Sequence, residues 1–340
     1  MNLSDFGIGG GTRKTLVILG AGASRGASFV EDEVGVVPPL DLDFFQQVAR
    51  LEETDESKRL LEFIREEYGH EIGLSMEKFF SESDYTDRFH KNLNVDPGPI
   101  VKKYQKALDA FFVVLPKLIE ETTSEECDYH RVLADNLHAR DSVITFNYDC
   151  LMDKSLRDHA GNRWKPDDGS YGFEVADGAE NWMDHTRGQP VKNPIKLLKM
   201  HGSQNWMRGE EDEIELREAT DLSSNLKDVI IPPTWSKDLA EFPFGEIWKD
   251  ARVEVRRARI IVVVGYSVPD TDLFSKSLFK VEAGSKKKRE KLDLLVLVNP
   301  DKAARKSFID LVSGGIEPTT TILEYNTMNE IAHLIDRNSS

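Results

Sequence analysis

Six short apolar runs constrain this chain more than any other feature. They are Thr15-Leu16-Val17-Ile18-Leu19, Ser142-Val143-Ile144-Thr145-Phe146, Ile195-Lys196-Leu197-Leu198-Lys199-Met200, Val229-Ile230-Ile231, Ile260-Ile261-Val262-Val263-Val264 and Leu294-Leu295-Val296-Leu297-Val298. Several are apolar at both parities. Both faces of such strands need cover, as in a parallel sheet between helical layers. Residues 319–323 read as one more strand. Nearly every run is followed by Gly, Asn, Asp, His or Ser. Open parallel sheets bind ligands beyond the carboxyl ends of their strands. Small polar residues gathered there suggest a nucleotide site, although ordinary turns use the same residues.

The period changes between the first and second runs. Tyr104, Leu108, Phe111, Phe112, Leu115, Leu118 and Ile119 fall on one face of a helix. Phe44, Phe45, Val48 and Leu51 fit a second helix, and Leu60, Leu61 and Ile64 a third. Residues 41–138 are too many for a simple crossover and imply a helical insertion packed beside the sheet. Residues 158–194 are polar and irregular, and read as a surface excursion with patchy order. The expected fold is α/β, a Rossmann-type, mostly parallel sheet flanked by helices, with a large helical insertion. One domain over residues 1–340 is expected, with its core at 12–40 and 139–325.

The 340 residues carry 39% hydrophobic side chains, enough for a sizeable core. The net charge of −16 disfavours binding through a nucleic-acid backbone or an anionic lipid surface. The basic run Lys286-Lys287-Lys288-Arg289 reads as a solvated loop, with a functional patch as the alternative. No apolar stretch is long enough to span a bilayer, and no signal peptide is visible at the N-terminus. Cys127 and Cys150 are the two cysteines and form no C-x-x-C pair. A cytoplasmic protein without a disulfide framework or metal site is expected.

Four stretches carry candidate chemistry. Gly20-Ala21-Gly22-Ala23-Ser24 follows the first run and reaches Gly26, so the spacing is G-x-G-x-x-x-G. Such a turn either cradles a phosphate or is simply tight. Asp41 and Asp43 stand where a ribose-binding acid or a helix cap belongs. Asn147-Tyr148-Asp149 offers an amide and a carboxylate to a cleft, or a turn and an N-cap for a helix near Leu151. His201-Gly202-Ser203 sets an imidazole beside a glycine that leaves room for a ligand; histidine exchanges protons near neutral pH. A packed or surface histidine is the alternative. Cys150 reads as a core residue.

The order of these pieces resembles the SIR2-like family. G-A-G-A-S, T-x-N-Y-D, H-G-S-x-N-W, V-V-V-G-Y-S-x-P-D-T-D and V-x-V-N-P occur in sequence between Gly20 and Pro300. More narrowly, the chain looks like bacterial SIR2-like proteins of anti-phage defence that hydrolyse NAD. The resemblance implies that Gly20, Ala21, Gly22 and Ser24 hold the pyrophosphate and adjacent ribose. It implies that Asn147 orients the attacking water or ribose, that Asp149 is the acid of the nicotinamide pocket, and that His201 is the catalytic histidine. Gly265 would also serve the cofactor, and Ser267, Asp272 and Asn299 would lie near its adenosine end. NAD is then a substrate, and no metal is needed.

Two departures narrow the expectation. Sirtuin deacylases carry a zinc module built on cysteines, which this chain lacks. Their P-D-F-R stretch is replaced by Pro38-Pro39-Leu40 and Phe44-Phe45. These absences favour NAD consumption without a protein substrate: an NAD+ glycohydrolase giving nicotinamide and ADP-ribose, the NAD-depleting effector of abortive infection. The expected partners are further copies of the chain in a homo-oligomer and an ATPase or helicase-like protein in trans. A protein deacylase or ADP-ribosyltransferase, and a non-catalytic NAD or ADP-ribose sensor, are the alternatives.

Overall fold

The computed structural model describes residues 13–30, 35–69, 73–93, 98–183, 191–222, 227, 229–232, 239–269, 272–283 and 290–335. The basic run at 286–289 lies outside them. Five of the apolar runs become strands: β1 (Thr15–Leu19), β2 (Ser142–Thr145), β3 (Lys196–Lys199), β6 (Ile260–Val264) and β7 (Leu294–Val298). β8 (Thr321–Tyr325) takes up the late run. β4 (Trp206–Arg208) and β5 (Ile214–Leu216) form a separate antiparallel hairpin, which the sequence did not announce.

The six strands form one sheet in the order β3-β2-β1-β6-β7-β8, and every adjacent pair is parallel. Counted within this sheet alone, the order is 3-2-1-4-5-6, that of a doubly wound Rossmann fold. Chain direction around the sheet reverses between β1 and β6. Every residue of β1, β6 and β7 is buried, which explains their apolar character at both parities. Fully burying each such Val, Leu or Ile contributes roughly 1.5–3 kcal/mol relative to exposure. β8 is half-exposed, as befits an edge.

The short helix α1 (Ala21–Arg25) follows β1. Residues beyond it form α2 (Phe44–Val48), α3 (Asp55–Tyr68), α4 (Met76–Leu93), α5 (Gly98–Thr123) and α6 (Asp128–Asn136). An aromatic cluster joins them. Phe111 of α5 lies 4.9 Å from Phe44 and 4.5 Å from Phe80, and Phe45 packs edge-on to Phe44 and Phe79. These rings belong to the same continuous core as β1 and β6, so the helical segment is packed on the sheet rather than hung from it. Helix α7 (Leu151–His159) follows β2, α8 (Phe244–Arg257) precedes β6, α9 (Leu273–Leu278) follows it, and α10 (Lys302–Val312) joins β7 to β8.

Two expectations fail. Residues 158–183 are not a surface excursion: Trp164, Tyr171 and Trp182 are buried with the core, among short 3₁₀ turns. Aromatic side chains here bury themselves without a helical or strand period, so the pattern was invisible. Val229-Ile230-Ile231 is buried but joins no sheet. It makes an isolated antiparallel bridge, Ile230 with Gly202, against the loop after β3.

The amino end of the sheet holds a buried carboxylate. Asp141 Oδ1 accepts from Thr15 N and Oδ2 from His138 N, both at 2.8 Å. Burial outweighs these two donors and pushes the carboxyl up to about 6. A folded-state pKa raised above the unfolded one contributes stability below the unfolded value, and that contribution is lost as pH rises through about 6. The fall between pH 4 and 7 should amount to roughly 2 kcal/mol. Asp141→Asn should be less stable overall but show a flatter dependence over this window. Urea unfolding of both proteins at several pH values tests this, and parallel curves would refute it.

Candidate functional site

The reversal between β1 and β6 leaves the loops after these two strands diverging, which is where doubly wound sheets hold ligands. After β1 comes Gly20-Ala21-Gly22, and after β6 comes Gly265-Tyr266-Ser267. The two turns pack backbone against backbone. Gly20 N donates to Val264 O, and Gly22 N to Gly265 O at 2.9 Å. A Cβ on Gly22 would lie 2.7 Å from Gly265 Cα, and one on Gly265 would lie 2.2 Å from Ala23 N. Gly265 also holds φ +60°, the left-handed region. The missing side chains of Gly20, Gly22 and Gly265 are thus used by the protein itself.

The loop after β2 closes onto the same turn. Asn147 Nδ2 donates to Gly20 O and to Ser24 Oγ, each at 3.0 Å. Ser24 Oγ in turn donates to Asp149 Oδ2 at 2.6 Å. A hydroxyl has one proton, and here it goes to the carboxylate, leaving its lone pairs for the amide. The Asn147 nitrogen therefore faces the turn, and its Oδ1 receives no donor among the described residues. Asp149 Oδ1 accepts from Leu151 N at 3.0 Å at the start of α7, although the N-cap position itself falls to Cys150.

His201 enters from the loop after β3. Its ring lies 5.4 Å from the ring of Phe146 and 6.4 Å from that of Tyr148, the two neighbours of Asn147. Phe146 stacks on Tyr266 at 4.5 Å. Backbone bonds join the two loops: Met200 N to Thr145 O, and Gln204 N to Tyr148 O. Tyr148 Oη donates to Ile231 O, whose amide donates to His201 O. Burial raises the Tyr148 phenol above its ordinary value. The space beside Gly202 is not left for a ligand: at φ +89°, a Cβ there would meet Val229 O at 2.0 Å. The segment 229–231 fills it.

The structure therefore gathers Gly20, Ala21, Gly22, Ser24, Asn147, Asp149, His201 and Gly265 at one rim. Ser267 is exposed on the turn after β6. Asp272 and Asn299 also follow β6 and β7, but spend side-chain oxygens locally. Asp272 caps α9 by accepting from Ser275 N and Oγ, and Asn299 Oδ1 accepts from Asp301 N. Asp41 caps α4 from a distance, accepting from Glu77 N at 3.0 Å. Asp43 instead pairs with Arg25, whose Nε donates to Pro38 O, tying the 38–43 loop to α1.

Sequence reasoning missed the buried polar support. Lys199 Nζ donates to Asp149 O at 2.6 Å and to Asp153 Oδ2 at 2.7 Å. Both side chains are essentially without solvent exposure. Burial pulls the ammonium's pKa down, and the surrounding acidic groups, Asp153 foremost, together more than offset this, holding it above the ordinary value. Tyr171 Oη donates to Asp153 Oδ1 at 2.7 Å. A lysine within an apolar strand was the one available signal. Cys150 lies in this core, its thiol pushed up to about 12 by burial. Cys127 behaves differently. Burial raises its pKa, but His130 draws the thiol down to about 7.

A doubly wound parallel sheet with a polar rim at its reversal point defines a nucleotide-binding class of α/β protein. The SIR2-like domain matches residues 141–313, half of the chain, and the protein belongs to that family. The matched segment contains Asn147, Asp149, His201 and Gly265, while the Gly20 turn precedes it. Membership implies an NAD site and NAD-related activity. No curated protein matches the chain. Among solved structures, one described as "The Structural basis of Sirtuin Substrate Affinity" aligns over 100% of both chains, with 15% identity and a TM-score of 0.42. A Sir2 homologue variant in complex with 2′-O-acetyl ADP ribose aligns over 100% of this chain and 96% of its own, with 13% identity and a TM-score of 0.39.

The glycine contacts generate a prediction. Gly265→Ala combines a left-handed φ with a backbone clash, so it should destabilise by about 2 kcal/mol or more. Thermal unfolding measures this; an unchanged midpoint would show that the two turns do not pack closely.

Proposed function

We propose that the protein is an NAD+ glycohydrolase, cleaving the bond between ribose C1′ and nicotinamide to give nicotinamide and ADP-ribose. The observation that supports this reading is the bonding of the Asn147 amide to the Gly20 turn at the reversal point of the sheet, with the His201 ring packed on Phe146, the residue before Asn147. The glycine turn and Ser24 would hold the pyrophosphate and adjacent ribose, and Ser267, Asp272 and Asn299 would lie toward the adenosine end. Asp149 would meet the nicotinamide carboxamide with its remaining lone pairs.

The chemistry asks little of the protein. Nicotinamide leaves a cationic pyridinium as a neutral molecule, so no acid need protonate it, unlike the leaving oxygen of an ordinary glycoside. Water adds to C1′ and loses a proton. Asn147 Oδ1, turned outward by the Ser24 relay, would accept one water hydrogen and aim the lone pair. His201 would take the proton released. Positioning supplies much of the rate. On the family resemblance, the enzyme acts as an NAD-depleting effector of anti-phage defence, as a homo-oligomer with an ATPase or helicase-like partner. The exposed Tyr85, Phe89 and Ile100 of the helical segment support a protein contact there.

Chromatography of NAD incubated with the protein, alone and with phage lysate, tests the activity. Equal amounts of nicotinamide and ADP-ribose are expected. Bound but intact NAD after hours would identify a sensor, and nicotinamide release that needs an acylated peptide would identify a deacylase. Asn147→Ala and His201→Ala should each lower turnover by about 10²–10⁴-fold while unfolding near the wild-type temperature. Near-wild-type turnover in both would remove these residues from the mechanism.

A further inference from the structure

We infer that the buried Lys199–Asp153 pair is a positioning device that sets the spacing between the Asn147 and His201 loops. The inference rests on the glycohydrolase reading and adds residues to it that touch no substrate. From Asp149 O the chain of bonds runs to Lys199 Nζ, Asp153, Tyr171 Oη, Asn205 Nδ2 at 3.2 Å, and from Asn205 Oδ1 to Ser203 Oγ at 2.6 Å. One end lies two residues beyond Asn147 and the other two beyond His201. β2 and β3 already fix the roots of the two loops, with Thr145 opposite Lys199. The network fixes their tips.

Stability alone does not account for such a pair. Removing two charges from water is costly, and apolar side chains of similar size often replace a buried ion pair without loss. What an apolar pair cannot do is bond the Asp149 carbonyl on one side and, through Tyr171, the 203–205 turn on the other. Lys199 is fully buried and its charge is balanced by Asp153, so it is an anchor rather than a proton donor to a ligand. Tyr171 shares that burial and supplies the link between the anchor and the second loop.

The test is the double variant Asp153→Leu with Lys199→Met, assayed for NAD cleavage and hydrogen exchange. It should fold, with turnover reduced by about ten- to a hundredfold and KM close to that of the wild type. Exchange at the amides of residues 146–150 and 201–205 should quicken. A folded double variant with wild-type turnover and unchanged exchange overturns the inference. Should the double variant not fold, Tyr171→Phe decides: it keeps both charges but cuts the link, so lower kcat at constant KM supports the role and unchanged kcat refutes it. If wild-type protein releases no nicotinamide, the glycohydrolase reading fails separately, and exchange alone decides whether the network holds the two loops.

Discussion

The parallel pairing of β1 with both β2 and β6 governs this molecule. Parallel neighbours cannot be joined by tight turns, so helices must carry the chain back across both faces of the sheet. All carboxyl ends then emerge on one side. Because β1 lies at the point where the winding reverses, the segments after β1 and β6 head to opposite faces. Polar side chains brought to that rim from β1, β2 and β3 meet each other before they meet any ligand.

At the rim the important quantity is direction rather than charge. Ser24 has a single proton, and its gift to Asp149 decides how the Asn147 amide is turned. A half-buried carboxylate bonded to the start of α7 thereby reaches, through one hydroxyl, an amide oxygen that faces outward. Phe146 and Tyr148 flank the His201 ring, and Tyr266 stacks on Phe146 behind it, so the imidazole is held by packing as well as by its backbone.

Much of the sheet was legible because burial on both faces leaves a dense signature: β6 and β7 are continuous Val, Leu and Ile, and β1 is so after Thr15. The helix now seen as α5 was legible through its single apolar face. The hairpin Trp206–Leu216 was not, since three-residue strands carry too little alternation to register. Val229-Ile230-Ile231 had a strand's composition but found its partner in a loop, a choice made by tertiary contact alone. At the site, Asn147, Asp149 and His201 could be nominated from their places after strands. Lys199, Asp153 and Tyr171 could not be joined, because their pairing links residues 46 and 18 positions apart in sequence, and a lysine in an apolar strand does not name its partner.

The three glycines at the reversal point carry a lesson for reading such motifs. Their side-chain positions are occupied by one another's backbone. A descendant that had ceased to bind any nucleotide would still need them to keep its sheet intact. Gly20, Gly22 and Gly265 are thus markers of ancestry in architecture, and divergence of function within the family would be written first in the residues at positions 24, 147 and 201.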